Sequence, residues 1–307
     1  MNRFSPSDAA LEGFRITREN PRAFAWWVGV SFLVSILGAF VTVLMPPHVR
    51  NALETLRAEE TPDLATLADA LIAVSPLFVF GLAFQCMMAA AIYRVIFRHG
   101  DSRFGYLRLG KDELRLMALT LIFVVLTILL AVALTMGAAI VIAIASFAGR
   151  GLAVSVGAVA ELVSLGVLVY VLVRLSLAPP ATFAERRIRI RESWTLTHGV
   201  FWRLFGAYLL ALACIVVIGL LALVLFTAVA GVIVLMTGGQ LTDLSAIFHP
   251  DETSFSAYLN PGMIAYMIVG SLFNTLYYAV IAAPGAVVYR HLHDDPDGPL
   301  SLHGYTE

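Results

Sequence analysis

Six long apolar runs divide this chain, at roughly 23–45, 77–97, 116–138, 156–178, 204–227 and 263–289. Each is near the ~20 residues that a helix needs to cross the hydrocarbon of a bilayer. Polar residues collect between the runs, and three of the connecting segments resemble one another. They are Phe14-Arg-Ile-Thr-Arg18, Leu107-Arg-Leu-Gly-Lys111 and Trp194-Thr-Leu-Thr-His198. Each sets two apolar residues two places apart and then a basic residue or His. A further arginine (Arg22, Arg115 or Arg203) precedes the next apolar run. The pattern predicts an all-α integral membrane protein with six transmembrane helices. These would form three pseudo-repeated hairpins, about 14–98, 107–187 and 194–290, each opened by an amphipathic elbow. All would lie in a single membrane domain over 1–307, with a flexible tail at 291–307.

Spacing within the hairpins extends the likeness. The apolar stretch from Leu114 to Phe147 is too long for a straight crossing, since ~34 residues at 1.5 Å each make roughly 50 Å. It is expected to bend near Gly137, tilt or project, and Arg203 to Gly238 repeats the excess. A glycine follows each elbow arginine at one spacing, Arg115 to Gly151 and Arg203 to Gly239. Gly166, Pro180 and Arg186 are spaced as Gly270, Pro284 and Arg290, and Tyr93-Arg94 matches Tyr289-Arg290. In the outer connection at 46–75, Leu53, Leu56, Leu64, Leu67 and Leu71 predict one or two short surface helices. Pro76 is expected to open the second span, where its missing N–H costs nothing. Repeats of this kind pack around an axis along the membrane normal.

Composition removes the soluble alternatives. The chain is 60% apolar and 13% charged, with mean hydropathy +0.86, against about 45–50% apolar for soluble domains. A net charge of -1 conceals an asymmetry. Only Arg50, Arg57 and Arg150 fall on one side of the six-span topology, and every other Lys and Arg falls on the opposite side. The positive-inside rule then sets both termini in the cytoplasm. The first apolar run exceeds a signal-peptide core and reads as a retained anchor. Cys86 and Cys214 both lie within spans, as packing residues.

Candidate chemistry is sparse. Glu161 is the one acid well inside an apolar run, and an intramembrane carboxylate is costly enough to be a functional candidate. Asn274 and Tyr277 of the last span could line a site with it. Gln85 and Tyr278 complete the intramembrane polar set, residues that otherwise bind helices together. Arg174, near a helix end, is expected to snorkel to the headgroups. His291, His293, Asp294, Asp295 and His303 lack the second ligand pair of a zinc site. His249-Pro250-Asp251-Glu252 has no partner in sequence, and no catalytic motif or cofactor is expected. The richest feature is the third elbow. There Arg186, Arg187, Arg189 and Arg191 alternate with Ile188 and Ile190, and Trp194, Trp202 and Arg203 follow. Basic residues attract anionic headgroups and Trp prefers their depth.

At Trp194-Thr-Leu-Thr-His-Gly199 and Phe201-Trp-Arg-Leu-Phe-Gly206, with Ala178-Pro-Pro-Ala181 before them, the chain resembles bacterial six-span inner-membrane proteins of the YciC type. It is similar also to the membrane domain attached to some glycerophosphodiester phosphodiesterases. The likeness covers about 200 residues of the core, on short motifs. It implies an inner-membrane module without the phosphodiesterase activity, because no barrel-sized soluble stretch or metal-binding carboxylate set accompanies it. The expectation is a non-enzymatic inner-membrane protein that organises membrane lipid or a partner protein, but not nucleic acid, through its basic cytoplasmic elbows. The alternative is a transporter or channel for a small or amphipathic solute, using Glu161.

Overall fold

The computed structural model describes residues 5–57, 63–98, 103–236 and 254–293. Every regular element among them is helical. In chain order these are α1 (Pro6–Glu19), α2 (Pro21–Val43), α3 (Pro47–Arg57), α4 (Leu64–Phe97), a tight turn at Arg103–Tyr106, α5 (Lys111–Ser146) and α6 (Arg150–Leu175). There follow α7 (Ala178–Glu185), α8 (Ile190–Leu196), α9 (Phe201–Met236), α10 (Phe255–Tyr258) and α11 (Pro261–His293). Six of them (α2, α4, α5, α6, α9 and α11) are long and apolar enough to cross a membrane. The chain is a multi-pass membrane protein. Its helices group into two compact units, Leu11–Arg108 with Leu209–Ala282, and Leu109–Tyr208 with Met1–Ala10 and Ala283–Glu307.

In the first unit, Pro21 opens α2 at a position where no N–H is required. Asn20 ends α1 by turning both its N–H and its side-chain amide onto the Ile16 carbonyl. Gly13 of α1 lies against the α11 backbone so closely that a Cβ there would stand 2.5 Å from the Val280 Cα. Trp27 is fully buried, and its indole N–H donates to the Gly105 carbonyl at 2.6 Å. A second cluster joins Ala39 of α2 to Tyr258, Met263 and Met267, with Phe40 stacked on Phe255. Ser31 and Thr275 share a buried hydrogen bond at 3.1 Å.

A tight turn precedes the Leu107–Lys111 segment. Phe104, Gly105 and Tyr106 all have left-handed backbone angles, φ 50°, 63° and 65°. Such a conformation costs roughly 1–2 kcal/mol per non-glycine residue. Tertiary bonds hold it in place. Trp27 donates to Gly105, Arg94 donates to the Tyr106 carbonyl at 2.9 Å, and Trp26 packs edge-on to Phe104.

Pro76 does not open the second span. It sits inside the 34-residue α4, which begins at Leu64 with Asp63 accepting from the Thr66 N–H. The helix continues because the carbonyl that proline strands, that of Ile72, accepts instead from the Ser75 hydroxyl at 2.7 Å. Rescue of this kind is what permits proline within membrane helices. Leu64, Leu67 and Leu71 therefore belong to the spanning helix, and among the described residues of that connection α3 stands as a separate helix.

In the second unit, α5 runs for 36 residues without a break at Gly137, and α9, leading out of this unit, is described from Phe201 to Met236. α5 is ~54 Å long. The reversal from α5 to α6 is made by Gly149, with φ 128°, and Gly151 lies inside α6. Gly238 and Gly239 lie outside the described residues. The return helices also differ from their expected correspondence. Pro180 belongs to α7, which starts after a break at Ser176 and Leu177, whereas Pro284 lies inside unbroken α11.

Candidate functional site

The basic segment is built by α7, α8 and the start of α9. Proline at the first turn of α7 favours a new helix there. Buried Ala178, Pro180, Ala181, Thr182 and Phe183 fix it in place. The chain leaves α7 through Arg186 in a left-handed conformation, φ 58°. Thr182 then accepts from the Arg189 N–H at 3.2 Å. Arg186, Arg187 and Arg191 are exposed, Trp194 is partly exposed, and Trp202 is 77% exposed.

Arg189 is exposed too, but its side chain is ion-paired. Its guanidinium pairs with Glu185 at 2.8 Å and approaches Glu192 at 3.5 Å. Glu185 also accepts from the Tyr289 hydroxyl at 3.0 Å, and the Tyr289 ring stacks on His293. The two acids share one arginine, so burial and the neighbouring negative charge of Glu185 push the Glu192 carboxyl above its ordinary 4.5. Arg189 and His293 oppose that shift. A carboxyl whose pKa is raised by folding holds its proton more tightly in the folded chain. Its contribution is therefore most favourable below 4.5 and declines as pH rises through the raised value. Glu192→Gln is expected to raise the melting temperature at neutral pH and to leave it unchanged below pH 4.5. Thermal unfolding in detergent at the two pH values tests this; an equal effect at both would remove the explanation.

Arg174 does not snorkel. It is 4% exposed, within the last turn of α6, and its guanidinium lies 4.6 Å from the Trp194 ring centre and 5.7 Å from that of Tyr170. Its Nη1 donates to the Thr197 hydroxyl at 3.2 Å, and Nε has no hydrogen-bond partner. Its own carbonyl accepts from Ser193 at 2.7 Å, tying α6 to α8. Beside it is a recess of about 310 Å³, lined among others by Tyr170, His198, Phe201, Trp202 and Arg203. The signal was present in the sequence as an arginine and a tryptophan near two helix ends. Their stacking depends on how α8 folds back on α6, which spacing does not encode.

The other connecting segments carry related local features. Glu12 pairs with Arg15 on α1 at 2.9 Å, and Asp112 with Arg115 on α5 at 2.8 Å. Both are acid–arginine pairs three residues apart. Glu19, Asn20, Arg22, Trp26 and Tyr106 line a recess of about 450 Å³.

The intramembrane candidates stand apart from this chemistry. Glu161 is exposed on α6, eleven residues from its start and so ~16 Å along it. The groove between α5 and α6, about 520 Å³, is lined instead by residues such as Gly137, Val141, Val156, Ala160 and Val163. Gln85 and Tyr277 are exposed, while Asn274 is half-buried. Tyr278 packs edge-on to Phe84. His291 and His293 end α11, and Asp294, Asp295, His303 and the 249–252 acids lie outside the described residues. Comparison with known proteins finds no matching family model, no matching curated protein and no matching solved structure.

Proposed function

We propose that this chain is a non-enzymatic, six-span inner-membrane protein of YciC-like character, with both termini cytoplasmic, that organises anionic lipid or a partner protein at its cytoplasmic face. The observation that carries the reading is the composition of residues 186–203. Four exposed arginines, three of them outside any ion pair among the described residues, and the rings of Trp194 and Trp202 share one short segment at the junction of membrane-spanning helices. Arginine near an anionic leaflet contributes about 1 kcal/mol per residue, and indole rings favour the headgroup depth. The acid–arginine pairs at Glu12–Arg15 and Asp112–Arg115 support treating the hairpins as repeats. The transport alternative rests on Glu161, which is exposed on α6 and has no hydrogen bond or ion pair among the described residues.

The test is the combined variant Arg186→Gln, Arg187→Gln, Arg191→Gln. Arg189 is left intact because it holds Glu185 and Glu192. Co-purification of phosphatidylglycerol is expected to fall severalfold, with the melting temperature in detergent unchanged. Lipid retention equal to that of the parent chain would refute the lipid reading.

A further inference from the structure

We propose that the recess at the end of α6 is a binding site for one phosphate-bearing anion, and that its occupant is the phosphodiester headgroup of an anionic phospholipid. The inference rests on the lipid reading above and gives it a specific site.

The argument begins with an unbalanced charge. Arg174 is 4% exposed, yet no carboxylate lies within ion-pair distance of it among the described residues. A buried cation is costly unless it is paired and hydrogen-bonded. The rings of Trp194 and Tyr170 attract it, but only through the faces. A guanidinium stacked by its face keeps its N–H donors in plane, in the fork that matches two oxygens of a phosphate. Here the Thr197 hydroxyl uses one Nη1 donor, and Nε has no acceptor.

The remaining lining has the same sense. Arg203 and His198 share the recess with Arg174, and no carboxylate does. Phe201 and Trp202 open α9; the N–H groups of Arg203 and Leu204 donate to the Val200 carbonyl at 3.1 and 3.0 Å, which leaves those of Phe201 and Trp202 at the helix start. A helix start of this kind favours an anion. At about 310 Å³ the recess reaches the lower end of small-ligand sites, enough for a headgroup and not for a whole lipid. Trp202, 77% exposed at its rim, favours the interfacial depth at which a lipid phosphate lies.

The full chain, purified in detergent, is titrated with dioctanoyl phosphatidylglycerol, dioctanoyl phosphatidylcholine and inorganic phosphate while tryptophan emission is followed. The phosphatidylglycerol is expected to give a saturable change that Trp194→Phe abolishes, because the bound anion alters the field of Arg174 on that ring. Arg174→Gln and, separately, Arg203→Gln are expected to weaken binding about tenfold or more. Arg203→Gln spares the contacts from α6 to α8, so it keeps the test decisive if Arg174→Gln fails to fold. The variant lacking Arg186, Arg187 and Arg191 is expected to keep the saturable signal. Loss of signal in that variant, with Arg174→Gln and Arg203→Gln unaffected, overturns the recess and leaves the broader lipid reading standing. Signals unaffected by Trp194→Phe, Arg174→Gln and Arg203→Gln overturn the recess. Equal potency of inorganic phosphate or of the phosphatidylcholine overturns the anionic-lipid assignment.

Discussion

Replacing Trp27 with alanine is expected to lower the unfolding free energy by about 3–5 kcal/mol, as large-to-small changes at buried aromatic sites do. The residue is fully buried and also supplies the donor for the Gly105 carbonyl. Two losses therefore coincide: packing around α2, and one of the bonds holding the left-handed turn. Trp27→Phe separates them, since it keeps most of the volume and loses the indole N–H. It is expected to cost about 1–3 kcal/mol for the stranded carbonyl. It is also expected to make the peptide bonds at 103–108 more susceptible to protease. Denaturant unfolding in detergent micelles, with limited proteolysis, measures both. Parental stability in Trp27→Ala would mean that the indole holds nothing together.

The second large effect is at Gly13. A Cβ there meets the Val280 Cα at 2.5 Å and the Ala279 carbonyl oxygen at 2.7 Å, and these are backbone atoms that no rotamer change can move away. Gly13→Ala must displace α1 from α11, an overpacking cost of about 1–3 kcal/mol. Gly29 provides the comparison. It lies inside α2 with nothing within 4 Å of its would-be Cβ, so alanine there is expected to stabilise by up to about 1 kcal/mol. Opposite signs for one chemical change, read from paired melting curves, test the packing of α1. A stabilising Gly13→Ala would refute it.

Number and approximate position of the spans were legible because length and apolar content are properties of a single stretch. Helix ends were not, where they depend on local rescue: Pro76 reads as a start until the Ser75 hydroxyl is seen on the Ile72 carbonyl. The turn at Phe104–Tyr106 was hidden for a different reason. Two of its three left-handed residues are not glycine, and the bonds that impose the conformation come from Trp27 and Arg94. In the basic segment the exposed arginines were readable from their alternation with isoleucine. The pairing of Arg189 was written in its spacing from Glu185 and Glu192, four residues before and three after. It went unread because those positions straddle the break between α7 and α8. Arg174 was read as a helix-end cation, and its burial depends on ring contacts with a residue twenty positions later.

The left-handed turn also bears on how the chain is assembled during synthesis. Its two donors, Trp27 and Arg94, are translated before the carbonyls of Gly105 and Tyr106 that they serve. A nascent chain that has emerged only as far as α4 holds an indole N–H and a guanidinium still waiting for those acceptors. The turn can therefore close only once Gly105 and Tyr106 have been synthesised, while α1 and α2 wait longer still, for α11.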